Sequence, residues 1–193
     1  MDDNARDVRI PPRRPIVSDS IALLRQVMPA VLPRLRRFAR SLVRDAADAD
    51  DLAQTTIERA LARAAQWRAP AAGATHEQVE AAVRSWMFGI MKNAWIDDRR
   101  AAQRKRRLFT PADAAPEPAD HAHVQQEQRL SIEAALQRLP EDQQLAVALV
   151  LVEGLAYHEA AEVLAIPVGT LTSRLARARE TLVSVLDAPG GTS

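Results

Sequence analysis

The amino-acid sequence predicts an all-α protein built from two small helical domains joined by a flexible acidic linker. Three observations carry this. Ala, Leu and Arg dominate, aromatic residues make up only 4%, and no stretch alternates with the period of a strand. Hydrophobic residues reach 47% of the 193, enough to build real cores. Between two segments of helical periodicity lies 109–128 (FTPADAAPEPADHAHVQQEQ), with three prolines, four acids, no base and no periodic apolar face.

Residues 1–19 hold little to bury and read as a tail. The first domain spans 20–108. Helical periodicity begins near Ser20, with Ser18, Asp19 or Ser20 as candidate N-cap. Pro29 and Pro33 predict an interruption, so a second helix is expected from about Ala30 to Val43, with Val31, Leu35, Phe38, Ala39 and Leu42 inward. The acidic run DAADADD (45–51) opens the next helix, expected from Ala47 to Trp67 and burying Leu52, Thr56, Ala60 and Leu61. Asp48, Asp51, Gln54, Thr55 and Glu58 form its outward polar stripe. Residues 69–76 read as a loop, followed by a short helix from Glu77 and then Trp86 to Arg107, with a break possible at Asn93.

The second domain spans 129–186 and is followed by a tail, 187–193. Ile132, Leu136 and Leu139 mark one helix, ended by Pro140. Glu141 to Glu153 forms another, apolar along Leu145, Ala148, Leu149 and Val152 and closed by Gly154. The stretch from Leu155 to Leu182 then reads as two short helices and a tight turn. In the second of them, Leu171, Leu175, Ala178 and Leu182 recur at helical spacing and define a buried face, leaving Ser173, Arg174 and Arg177 on the other side. Pro167 suits a helix start. This is a helix-turn-helix pattern, whose second helix is shaped for the DNA major groove. The plain alternative is a helical hairpin with a solvated Arg face.

Charge separates the two domains. Net charge is only +1, yet 20–108 carries seventeen basic and nine acidic groups. Linker 109–128 is net −4 and 129–186 net −2. Arg99, Arg100, Arg104, Lys105, Arg106 and Arg107 fall within nine residues, where like charges repel unless a polyanion neutralises them. Phosphate contact is the favoured explanation. Trp86 and Trp95 beside these bases could stack on unpaired nucleobases or could simply be core. No cysteine is present, so disulfides, thiol chemistry and Cys-ligated zinc are excluded. His121 and His123 alone do not make a metal site, and no cofactor is expected. The N-terminal residues show no signal-peptide pattern and the longest apolar run, Leu145 to Val152, is too short to span a bilayer, so a cytoplasmic protein without membrane insertion is expected.

Three stretches, LRRFARSLVRDAADADDLAQTTIERAL, SWMFGIMKNAWIDDRRAAQRKRR and LPEDQQLAVALVLVEGLAYHEAAEVLAIPVGTLTSRLARARETL, occur in an order and spacing that resembles regions two and four of extracytoplasmic-function (ECF) type sigma factors of the bacterial sigma-70 family. The resemblance covers roughly 25–186, and its flavour is that of the general-stress sigma factors of alphaproteobacteria. It implies a subunit without catalytic residues that binds core RNA polymerase, recognises promoter DNA at the −35 and −10 elements, and melts it. Asp48, Asp51, Leu52, Gln54 and Thr55 match the segment that docks on the clamp helices of the polymerase large subunit. That overrides plain capping as the purpose of the acidic helix start. Lys92 and Asn93 would lie in a loop that captures a flipped base, with Trp95 nearby, while Arg99, Arg100, Arg104, Lys105 and Arg106 would hold phosphates of the melted strand. Thr170, Thr172, Ser173, Arg174 and Arg177 would face duplex DNA at the −35 box. The resemblance also implies an anti-sigma factor.

The chain departs from the family at several positions. Thr55 stands where Glu is frequent, Thr172 where Lys is common, and Ala156 where a Ser or Thr cap is usual. The loop over 69–82 looks long. Two rival functions make different predictions. A stand-alone helix-turn-helix regulator would bind duplex operators tightly without polymerase. An enzyme would need a nucleophile or an acid–base constellation, and His158-Glu159 is better explained as an exposed first helical turn.

Overall fold

A computed structural model describes residues 17–70, 73–108 and 134–187, and every regular element among them is helical. The expected linker 109–128, His121, His123, Ile132 and the terminal tails beyond those limits lie outside the described residues.

Helix α1 runs unbroken over Val17–Leu42, through Pro29 and Pro33. The expected division near Ala30 does not occur, and Ser18, Asp19 and Ser20 sit inside the helix instead of capping it. Each proline removes a backbone donor at a cost of about 3 kcal/mol in a helix interior. Both prolines are exposed, however, so the carbonyls they free can meet water. The opposite face buries Leu24, Val27, Val31, Leu35, Phe38 and Leu42 without a gap. Six such side chains, at about 1.5–3 kcal/mol each, outweigh two prolines.

Helix α2 covers Ala46–Ala62, followed by a 3₁₀ turn at Ala64–Gln66, so the expected extension to Trp67 is broken. Asp45 is the N-cap. Its carboxylate accepts from the backbone N–H groups of Ala47 at 2.7 Å and Asp48 at 3.3 Å. Leu52, Thr56 and Ala60 are buried as the pattern requires, and the Thr56 hydroxyl donates to Leu52 O. Leu61 is not: it lies 42% exposed, one position off the buried stripe.

Helix α3 is one helix of 33 residues, His76–Leu108, which absorbs both the short helix and the expected break at Asn93. Its start is a capping box. Gln78 N–H donates to the Thr75 hydroxyl, and Thr75 N–H donates to the Gln78 side chain at 2.9 Å. The T-x-x-Q spacing was legible, and it shortens the loop expected over 69–82. The helix persists past Asn93 because Val83, Met87, Met91, Ala94 and Trp95 continue one buried face.

The second helical group contains a helical turn at 134–136, α4 at Glu141–Val147, a π turn over Ala148–Val152, α5 at Tyr157–Leu164 and α6 at Val168–Asp187. Gly154, at φ 68°, closes the π turn, with Glu153 N–H donating to Ala148 O and Leu155 N–H to Leu149 O. α4 packs chiefly on α6, while α1, α2 and α3 pack on one another. The two groups also meet, α1 against the π turn and α3 against α5.

Candidate nucleic-acid and polymerase interfaces

α5 and α6 are the two arms of the helix-turn-helix. The turn between them passes through Ala165 at φ 56° and ψ 46°, left-handed backbone that costs a non-glycine residue about 1 kcal/mol. α5 begins at Ala156, whose methyl cannot cap. Only the return half of a capping box is present, with Ala156 N–H donating to Glu159 Oε2 at 2.8 Å. Ala156→Ser supplies the missing half and should raise stability by about 1 kcal/mol. The urea midpoint measures it, and an unchanged midpoint would show that Glu159 alone satisfies this helix end.

α6 buries Leu171, Leu175 and Ala178 and keeps Leu182 half-buried, the face that the spacing defines. Thr170, Thr172, Ser173 and Arg177 are exposed on the other side. The Thr172 hydroxyl donates to Val168 O and the Ser173 hydroxyl to Gly169 O, each at 3.0 Å, so both keep acceptor lone pairs for an outside donor. Arg174 differs from its neighbours. It is half-buried, and its Nε lies 3.2 Å from the Asp142 carboxylate of α4.

In the first group, Asp48, Asp51 and Gln54 are exposed along α2, Thr55 is half-buried and Leu52 is buried. Asp48, Asp51, Leu52 and Thr55 line an open groove of about 360 Å³, and its far wall is Trp95, Asp98 and Arg99 of α3. Residues expected to serve polymerase and residues expected to serve the −10 strand therefore share one groove. α2 and α3 pack side by side, and this puts both sets on a common rim.

Along α3 the expected strand-binding residues divide into two sets. Asn93, Arg100, Arg104 and Lys105 are exposed, and the Arg106 side chain lies outside the described residues. Lys92 and Asn93 are helical, not in a loop, because the buried stripe runs through them. Trp95 is 2% exposed, so its ring is core and not a stacking platform. The Arg99 guanidinium covers that ring at 5.0 Å and also reaches Glu141 of α4 at 2.9 Å. Trp86 is half-buried, 6.2 Å from Trp67. Lys92 is half-buried too. Its ammonium donates to Val163 O of α5 at 3.2 Å, and burial lowers its pKa below the ordinary lysine value.

Sequence periodicity does not reveal a further set of contacts between the helical groups. Arg37 of α1 donates two hydrogen bonds to Glu153, at 2.8 and 3.0 Å. The Glu153 side chain is fully covered, while Arg37 remains half-exposed. Burial pushes the Glu153 carboxyl above its ordinary pKa, and the Arg37 hydrogen bond and charge, with Arg34 and Arg84 nearby, pull it back. The same hydrogen bond holds the Arg37 guanidinium above its own ordinary value. Gln144, also buried, donates its amide to Ser41 O at 2.8 Å and Leu42 O at 3.2 Å. The last carbonyls of α1 are thus capped from the other helical group.

A basic helix beside an acidic one, together with a helix-turn-helix, defines a two-module helical DNA-binding protein. The comparisons with known proteins agree. Residues 129–182 match the family model for sigma-70 region 4, and residues 28–92 match that for the sigma2 domain of PhyR. The chain is 35% identical over 173 residues to the ECF RNA polymerase sigma factor EcfG of Rhodopseudomonas palustris, covering 86% of this chain and 87% of that protein. It is 34% identical over 153 residues to the ECF sigma factor SigM of Mycobacterium tuberculosis, covering 79% of this chain and 71% of that one. The fold is similar to that of the sigma factor RpoE of Bartonella quintana, solved in complex with the anti-sigma factor NepR. The TM-score there is 0.65 at 28% identity, covering 86% of this chain and 98% of that one. The chain belongs to the ECF group of the sigma-70 family of RNA polymerase sigma factors.

Proposed function

We propose that the two helical groups divide the work of promoter recognition, with 20–108 serving core polymerase and the −10 element and 129–186 serving the −35 element. The observation that carries this division is the exposure of Thr170, Thr172, Ser173 and Arg177 on α6 together with that of Arg100, Arg104 and Lys105 on α3. α6 reads duplex bases from the major groove. The cations of α3 neutralise phosphates of the opened strand, which offsets the cost of unstacking. Asp48, Asp51, Gln54 and Thr55 contact the clamp helices of the polymerase large subunit, with Leu52 behind them. Two weak contacts on one chain multiply through effective concentration. The protein itself makes and breaks no covalent bond, and it works in the cytoplasm. Among the described residues no helix is long and apolar enough to cross a membrane.

The similarity to EcfG and to the PhyR sigma2 model supports a general-stress role, and the NepR-bound relative supports control by an anti-sigma factor. Run-off transcription with purified core polymerase on a promoter library tests the whole reading. The expected result is a set of start sites that require this chain, and their absence at every promoter would overturn it. A narrower test is Asp51→Arg. Asp51 is exposed and holds no side-chain contact within the fold, so helix content should be unchanged while pull-down of core polymerase is lost. Retained pull-down would remove α2 from the interface.

A further inference from the structure

We infer that the second helical group is a built-in competitor of the promoter strand: in the free chain it docks on the first group and occupies Lys92 and Arg99. The inference rests on the reading that these two cations belong to the strand-holding face. Each is engaged by a group that stands in for nucleic acid. Glu141 presents a carboxylate to Arg99 at 2.9 Å, where a phosphate oxygen would otherwise sit, and Val163 O accepts from Lys92 at 3.2 Å. Charge favours the docking, because 20–108 is net +8 and 129–186 net −2.

The latch that holds this arrangement lies away from both cations. It consists of the two-pronged Arg37–Glu153 pair and of Gln144 on the last carbonyls of α1. Its chemistry suits a contact that must open. Burying Glu153 costs desolvation that largely cancels the attraction of Arg37, so the closed form is held by a small net margin. On opening, water can solvate Glu153, Ser41 O and Leu42 O. Polymerase or promoter DNA, binding only the open form, then shifts the population. Removing Arg37 acts in one direction. It strands Glu153 as a covered, unpaired carboxylate in the closed form and costs the open form nothing comparable.

The test uses the full chain without polymerase. Arg37→Ala replaces a half-exposed side chain on the surface of α1, so circular dichroism should show unchanged helix content. Small-angle scattering should show a larger radius of gyration than the wild type. Affinity for a pool of random 20-nucleotide single DNA strands at low salt should rise about tenfold, the gain expected if one chain in ten is open before the change. Gln144→Met removes the cap on α1 while keeping side-chain volume, and should act in the same direction. Lys92→Ala with Arg99→Ala, placed in the Arg37→Ala background, should take the gained affinity away. A wild type already as extended as Arg37→Ala would overturn the docking. Two variants that both stay compact would overturn the latch. Expansion with unchanged strand affinity, where the Lys92 and Arg99 changes still weaken binding, would overturn the competition and leave the strand-holding face standing. Expansion in which those two changes have no effect would sink the strand-holding reading itself.

Discussion

Replacing both Arg174 and Arg177 with alanine is expected to abolish dependence on the −35 element while leaving core polymerase binding intact. An arginine on bases or phosphates is worth about 1–3 kcal/mol, so losing two should lower transcription from −35-dependent promoters by about a hundredfold. The fold should tolerate the change. Both side chains lie off the buried stripe of Leu171, Leu175 and Ala178, and the Arg174–Asp142 contact is a partly exposed pair worth under about 1 kcal/mol. The two arginines should not be equal. Arg177 is exposed with no partner named among the described contacts, whereas Arg174 must first leave Asp142. Arg177→Ala alone should therefore lose more than Arg174→Ala, with a shallower dependence of duplex binding on salt. Run-off transcription from promoter pairs with and without the −35 box reads the first effect, and filter binding across a salt series reads the second. A double variant that still discriminates between the paired promoters would remove α6 from the reading role.

Phe38→Ala should cost the first helical group about 3–5 kcal/mol, a large part of the stability of an ordinary domain. Phe38 is wholly buried at the centre of α1, and its ring packs against Phe88 of α3 at 4.8 Å with the planes tilted 53°. Truncation loses the transfer free energy of the ring, the aromatic pair and the packing around the resulting cavity. The urea midpoint should fall with little change in slope. Leu61→Ala is the matched control. Its side chain is 42% exposed at the edge of α2, so the change should stay near 0.5 kcal/mol, about the limit for surface substitutions. Equal losses at the two positions would mean that the core is not centred on the α1–α3 contact.

Much of this molecule was readable without coordinates wherever the deciding interaction is local. The spacing of Leu171, Leu175 and Ala178 requires one buried helical face, and the structure has it. The acidic run at 45–51 starts a helix because Asp45 is well placed to accept from the next N–H groups. Local rules misled where burial elsewhere overrode them. Pro29 and Pro33 argue for a break, yet the apolar stripe beneath them holds α1 in one piece. Asn93 argues for a loop, yet Met91, Ala94 and Trp95 on either side are buried and carry α3 through it. Trp95 looked available to a nucleobase because a sequence gives a side chain's type and register but not what packs against it.

By itself the sequence determined the helical class, the division into a basic and an acidic half, the helix-turn-helix with its exposed face, and the family. All of these depend on residues within a few turns of one another, where helical period and net charge decide. Only the tertiary structure decided which cations are free. Lys92 meets Val163, Arg99 meets Glu141 and Arg37 meets Glu153 across separations of 42 to 116 residues. Those pairings depend on how α1 and α3 present their ends to α4, α5 and the π turn, a long-range geometry that no local period encodes.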